Sequence, residues 1–181
     1  MLLFVLQTSL DASKPSSVWQ YSGMAQASDS ETLDSERLLC YWRWLCPQSL
    51  TVIQRNAFGD LFLRDEVGRV HMLDVGSGNF SLIAESVLEF TELAMTPEGR
   101  EEWFAGGETN AAAVRGLVPG PGQCIGFYPP AVSAECDGLN SAYVTDLYDN
   151  VGWLGDMHRQ IATLPDGAKV RIVVQPPTSN S

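Results

Sequence analysis

Positive charge is what this chain has least of. Its 181 residues carry 11 lysines and arginines against 22 aspartates and glutamates, a formal net charge of −11 and a pI near 4.4. Holding nucleic-acid phosphates requires Lys and Arg to displace counterions, so this balance argues against a nucleic-acid binder. Docking on an anionic membrane is disfavoured for the same reason. Histidine is scarcer still, with only His71 and His158. The four cysteines, Cys40, Cys46, Cys124 and Cys136, have five residues between the first pair and eleven between the second, which matches no usual zinc spacing. Cys40 falls in an apolar helical segment and Cys124 in an apolar strand-like run, which predicts buried thiols in a reducing compartment. Long apolar runs are missing as well. Met1–Leu6 is only six residues long, without a positive stretch before it or a clean small-residue cleavage site after it. Nothing else approaches the length of a membrane span, so a cytoplasmic protein without a membrane partner is expected.

What is present is enough apolar material for a core. At 45% hydrophobic residues, a chain of this length can bury one domain without disulfides or metal. Residues 1–30 read as an irregular lead-in, 31–175 as one domain, and 176–181 as a disordered tail. A helix is predicted from about Ser30 to Leu45, with Leu38, Trp42 and Leu45 on one stripe and Pro47 as its stop. Four short strands follow, at Leu50–Gln54, Asp60–Arg64, Arg69–Val75 and Asn79–Ile83, punctuated by Gly59, Gly68 and Gly76-Ser-Gly78. Asp65-Glu-Val-Gly68 is a hairpin turn in which Gly68 supplies positive φ. Ser86-Val-Leu-Glu89 is a capping box opening a helix. Thr96-Pro97 opens a second, which Gly106-Gly107 is expected to end. Thr109 is the expected cap of a third helix running to about Leu117. Gln123–Tyr128 and Ala142–Leu147 are strand candidates, Asn150 the expected cap of a helix carrying Leu154, Met157, His158 and Ile161, and Lys169–Val174 a last strand. The fold class is α+β: a small antiparallel β-meander packed with several helices in a single domain.

Templates for catalysis find no purchase on these residues. His71 and Asp74 are three apart in one strand and should face opposite sides, which disfavours a relay between them. Gly76-Ser77-Gly78 lacks the spacing of a nucleophile elbow and lies between two strands. Neither a Walker loop nor a dinucleotide fingerprint occurs. The paired carboxylates Asp65-Glu66, Glu101-Glu102, and Asp146 with Asp149 sit at turns or element ends, where solvation should keep their pKa values ordinary. No catalytic, cofactor-binding or metal residue is therefore expected. Those six carboxylates are instead the candidate partner-binding residues.

Several segments, in order, carry a resemblance. Arg43-Trp44-Leu45, Phe58-Gly-Asp-Leu-Phe-Leu-Arg-Asp65, Gly68-Arg-Val-His-Met-Leu-Asp74 and Gly76-Ser-Gly78 come first. Gly122-Gln-Cys-Ile-Gly-Phe-Tyr-Pro-Pro130, Asn140, Asp146-Leu147, Gly155-Asp-Met-His-Arg-Gln160 and Leu164-Pro-Asp-Gly167 follow. Together they resemble a bacterial family of type VI secretion immunity domains, long catalogued as of unknown function and often found after a GAD-like domain. The resemblance spans about residues 40–174. It departs from the family at Ala131-Val-Ser-Ala-Glu-Cys136, where members usually carry a Leu-Gly-Gly type stretch, and residues 1–35 are too short for the GAD-like domain. The resemblance implies an α+β domain that binds and neutralises a cognate toxin, a nuclease or nucleotide-handling enzyme with a basic active-site surface. An acidic inhibitor would reach such a surface quickly. Two alternatives remain open: an acidic interaction module unrelated to toxins, and an enzyme that reverses a toxin's modification of its target.

Overall fold

The computed structural model describes residues 32–47 and 49–165. The expected strand over 169–174, the lead-in and the tail lie outside them. Over the described residues the chain folds as an α+β domain with a four-stranded antiparallel sheet, a separate two-stranded hairpin and five α-helices.

The four-stranded sheet is a meander of β1 (Thr51–Arg55), β2 (Leu61–Arg64), β3 (Val70–Asp74) and β4 (Asn79–Ala84), in that spatial order. Alternation sets its two faces. Leu61 pairs with Leu73, while Phe62 pairs with Met72 on the other side. Both faces are buried, so β2 reads as a continuous apolar run. The first face holds Leu61, Leu63 and Leu73. Against it lie α1 (Ser35–Leu39), a 3-10 turn at Cys40–Trp42, and α5 (Leu147–Ile161), contributing Leu38, Trp42, Leu147 and Val151. The second face holds Phe62, Val70 and Ala84 under α2 (Val87–Ala94) and α3 (Pro97–Phe104). There Phe62 sits 5.1 Å from Phe90 and 5.0 Å from Phe104, ring to ring. A fully buried side chain of this kind contributes roughly 1.5–3 kcal/mol through the area it removes from water.

The hairpin of β5 (Gln123–Phe127) and β6 (Ala142–Asp146) is held to the meander by a bond from the Ile125 amide to the Ala57 carbonyl, 2.8 Å. Ile125 joins Ala57, Phe58 and Ala112 of α4 (Gly106–Val114) in a third, smaller cluster.

Several expectations are corrected. The first helix is short: Asp34 caps it by accepting from the Arg37 amide, and after Leu39 the chain tightens into the 3-10 turn that sinks Trp42. Close approach explains the tightening, because the Trp42 indole donates to the Val151 carbonyl across the interface, 2.9 Å. A Cβ on Gly155 would stand 2.8 Å from that indole nitrogen. Gly106 and Gly107 begin α4 rather than ending α3, since Ala105 at φ 46° turns the chain between the two helices. Thr109 is therefore inside α4, its hydroxyl donating to the Phe104 carbonyl at 3.0 Å. Likewise Asp146, not Asn150, caps α5 by accepting from the Asp149 amide, 3.0 Å. In the Ser86 capping box the serine accepts from Glu89 as expected, but the Glu89 carboxylate reaches the Glu85 amide, one residue further back.

All four thiols are unpaired. Cys46 and Cys124 are buried, and burial pushes them up to about 11 and about 12 against the counter-effect of Arg43 and Arg55 respectively. Cys40, expected inside, is exposed, because it falls opposite the stripe of Leu38 and Trp42, and its thiol donates to the Arg37 carbonyl at 3.1 Å. No helix among the described residues is long and apolar enough to cross a membrane.

Candidate functional site

A cavity of about 430 Å³ lies between the β1–β2 loop, the end of β3, the start of α4, β5 and α5. Its walls are apolar: Phe58 and Phe127, stacked 5.8 Å apart, with Ile125, Leu139 and Leu154. Polar side chains also line it, Asp60, Asp74, Ser77, Glu108 and Asn150 among them.

The β1–β2 turn builds the floor. Gly59 takes φ 90°, which a side chain would strain, and the Asn56 side-chain oxygen Oδ1 accepts from the amides of Phe58 and Asp60, both at 3.0 Å. The Asn56 amide group donates to Asp60 Oδ2 at 2.7 Å and to the Trp103 carbonyl at 3.0 Å. Asp60 Oδ1 accepts from the Val75 amide, 2.9 Å. The carboxyl is thus half-buried, held from the protein side and open to the cavity on the other. Its burial, reinforced by the negative charge of Asp74, pushes it up to about 7 despite those donors. Asp74 is held by Ser77, whose amide donates to Oδ1 at 2.9 Å and whose hydroxyl donates to Oδ2 at 2.6 Å. Asn150 reaches over β5 because residue 126 is glycine. A Cβ there would lie 2.9 Å from the Asn150 oxygen. The β3–β4 turn on the cavity's rim is pinned from α5: His158 Nε2 lies 3.2 Å from the Gly76 carbonyl, and its ring packs where a Cβ on Gly78 would sit.

The six expected partner-binding carboxylates lie on three separate elements. Asp65 and Glu66 form the tip of the β2–β3 hairpin, Glu101 and Glu102 are exposed on α3, and Asp146 and Asp149 occupy the first turn of α5. Five of the six are exposed. Asp65 departs from the expectation of an ordinary pKa. Desolvation on its own would raise it, but hydrogen bonds from His71 (3.2 Å) and Arg69 (2.8 Å), with the Arg69 charge, outweigh that and hold it well below the usual carboxylate range. His71 is indeed turned from Asp74, as alternation requires. It stacks on Phe80 and takes its carboxylate from across the hairpin instead.

Asp60, Asp74, Glu108 and Asn150 were not among the expected site residues. They come from four elements spread over 91 positions, and no local motif links them. Among the described residues, no group of three or more His, Cys, Asp or Glu is placed to hold a metal ion.

Compared with protein-family models the chain matches none, and no curated protein matches it significantly in sequence. The functional reading therefore stands on this chain's own residues.

Proposed function

We propose that this chain is an immunity-type binding protein that neutralises an antibacterial toxin, a type VI secretion effector, by docking on it. One observation carries the reading: the charge of the helical layer α2–α4. From Glu85 to Glu108 the chain holds seven glutamates, all exposed, and a single basic residue, Arg100. Arg100 is turned away to the Met95 carbonyl, 2.6 Å, at the junction of α2 and α3. Between the glutamates stand exposed apolar side chains, Leu88 at 69% and Met95 at 54% exposure, with Val87 and Leu93 less so. Carboxylates interspersed with apolar contact area suit a basic protein surface better than a small ion. Glu101 and Glu102 belong to this face. A toxin that handles nucleic acid presents the complementary positive cleft, and mutual repulsion among the glutamates is relieved when that cleft covers them.

The test is co-expression with the product of the adjacent gene. Protection is expected from the wild-type chain and should be lost when Glu98, Glu101 and Glu102 are reversed to lysine. A harmless neighbour would overturn the reading. Protection by a chain with all seven glutamates reversed would remove this face from it.

A second reading has one observation in its favour: a carboxyl that ionises near neutrality inside a cavity is suited to acid–base work. An enzyme reversing the toxin's modification would restore already modified target at substoichiometric amounts, whereas a blocking protein would not.

A further inference from the structure

The acidic helical face and the cavity meet at one residue. Glu108 is exposed in the first turn of α4 and also stands on the cavity's rim, beside Ala105, where α3 hands over to α4. A partner docked on the glutamates therefore lies at the mouth of the cavity. We infer that the cavity is the receptacle for a basic side chain, an arginine, inserted by the protein that docks on the acidic face. This rests on the docking reading above and names the group that reading would seat.

The chemistry of the walls selects that group. At the floor are two carboxylates, Asp60 and Asp74, near enough for one charge to act on the other, and among the described residues no basic one lines the cavity to neutralise them. Their present donors are neutral: an asparagine amide, backbone amides and a serine hydroxyl. Asp60 accepts three such bonds, from Asn56, Val75 and Gly76, and Asp74 accepts two from Ser77, which leaves each carboxylate at least one acceptor site. A guanidinium brings both the missing positive charge and a planar set of donors able to address two carboxylates at once. The stacked pair Phe58 and Phe127 adds an aromatic wall, against which a guanidinium plane or its aliphatic stem packs favourably. The apolar walls exclude water from the ion pair and so strengthen it. An anion meets only carboxylates at this floor, and a neutral apolar ligand would leave them buried without a counter-charge. The volume of about 430 Å³ is enough for a side chain, and the segment that follows β5 carries the exposed Val132 and Tyr128, at 48% and 61% exposure, as further contact area for a protein.

Two arms test this. The first uses Nα-acetyl-L-arginine methylamide as the probe, with its citrulline counterpart as the neutral control, followed by amide chemical shifts. Saturable shifts at Phe58, Gly126 and Phe127 are expected for arginine alone. No shifts, or equal shifts with citrulline, overturn the inference. The second arm measures the dissociation constant of the complex with the adjacent gene's product. Asp74→Asn keeps both Ser77 bonds available while removing the charge, and should weaken the complex about tenfold or more. Val132→Trp, at a half-exposed site on the mouth, should weaken it without touching the floor, and guards against a folding defect in the first variant. If both cavity variants bind as tightly as wild type while Glu98, Glu101 and Glu102 reversals do not, the cavity receives nothing and the docking reading survives. If none of these variants matters, the docking reading falls with it.

Discussion

Strand β2 has an aspartate at each end, and the two carboxyls are driven in opposite directions. Asp60 precedes Leu61 at the cavity end and is pushed up to about 7 by burial and by Asp74. Asp65 follows Arg64 at the hairpin end and is held low by Arg69 and His71. The donors at the cavity end are neutral, and those at the hairpin end include a cation. The same side chain on the same strand is therefore a proton acceptor near neutrality at one end and a fixed negative charge at the other. The comparison teaches that what surrounds a carboxylate, rather than its place at the end of an element, decides its chemistry.

The strand between the two ends is where the comparison breaks most completely. Phe62→Ala removes the ring that packs on Phe90 and Phe104 and should cost about 3–5 kcal/mol, measured as a lower urea midpoint with both carboxyls titrating nearer their ordinary range. Next in size is the pH dependence from Asp60. Its folded pKa lies above the unfolded value, so the folded state binds the extra proton and stability falls as pH rises from about 4 to about 7. A shift of this size corresponds to at most an effect on the order of 4 kcal/mol. Urea midpoints should therefore be higher at pH 5 than at pH 8, and Asp60→Asn should flatten that difference. Glu108 from α4, Asp74 from β3, Cys124 from β5 and Cys136 from the following loop also line or face this region, so the variant-minus-wild-type difference is the quantity to read.

A smaller effect sharpens the cavity end alone. Asp74→Asn should lower the Asp60 midpoint, seen in carboxyl carbon shifts, because the charge that repels its ionisation is gone; an unchanged midpoint would show that burial acts by itself. The smallest belongs to the hairpin. Arg69→Ala should raise the Asp65 pKa and leave stability near neutral pH almost unchanged. Asp65 is depressed when folded, so its contribution is present above the ordinary carboxylate range and is lost as pH falls through the folded value; the variant should differ from wild type only in acid-unfolding experiments.

Much of the scaffold was legible in the residues. Glycines at 59, 68 and 78 with positive φ, and alternation along the strands, place the four strands of the meander to within one residue at most ends. Ser86 and Thr96 cap helices as their side chains suggest. Two caps misled for a shared reason. Thr109 and Asn150 are good capping residues, but tertiary contacts take them inside helices, where Thr109 bonds Phe104 and Asn150 crosses Gly126 to the Cys124 thiol. The cavity was illegible because its carboxylates become neighbours only when the ends of β2 and β3 are laid side by side against α4 and α5. Asp60 in particular looked like one more strand-edge acid, since nothing local tells that Asn56, Val75 and Asp74 will close around it.

Asn56 has a consequence of another kind. Its one amide group grips the Asp60 carboxylate with one hand and the Trp103 carbonyl, the next residue after Glu102, with the other. Cavity floor and acidic helix are thus joined by a rigid link a single side chain long. A load applied to α3 reaches Asp60 through the two hydrogen bonds of one side chain in the β1–β2 turn, so whatever presses on the outside of the helix also adjusts the seat within.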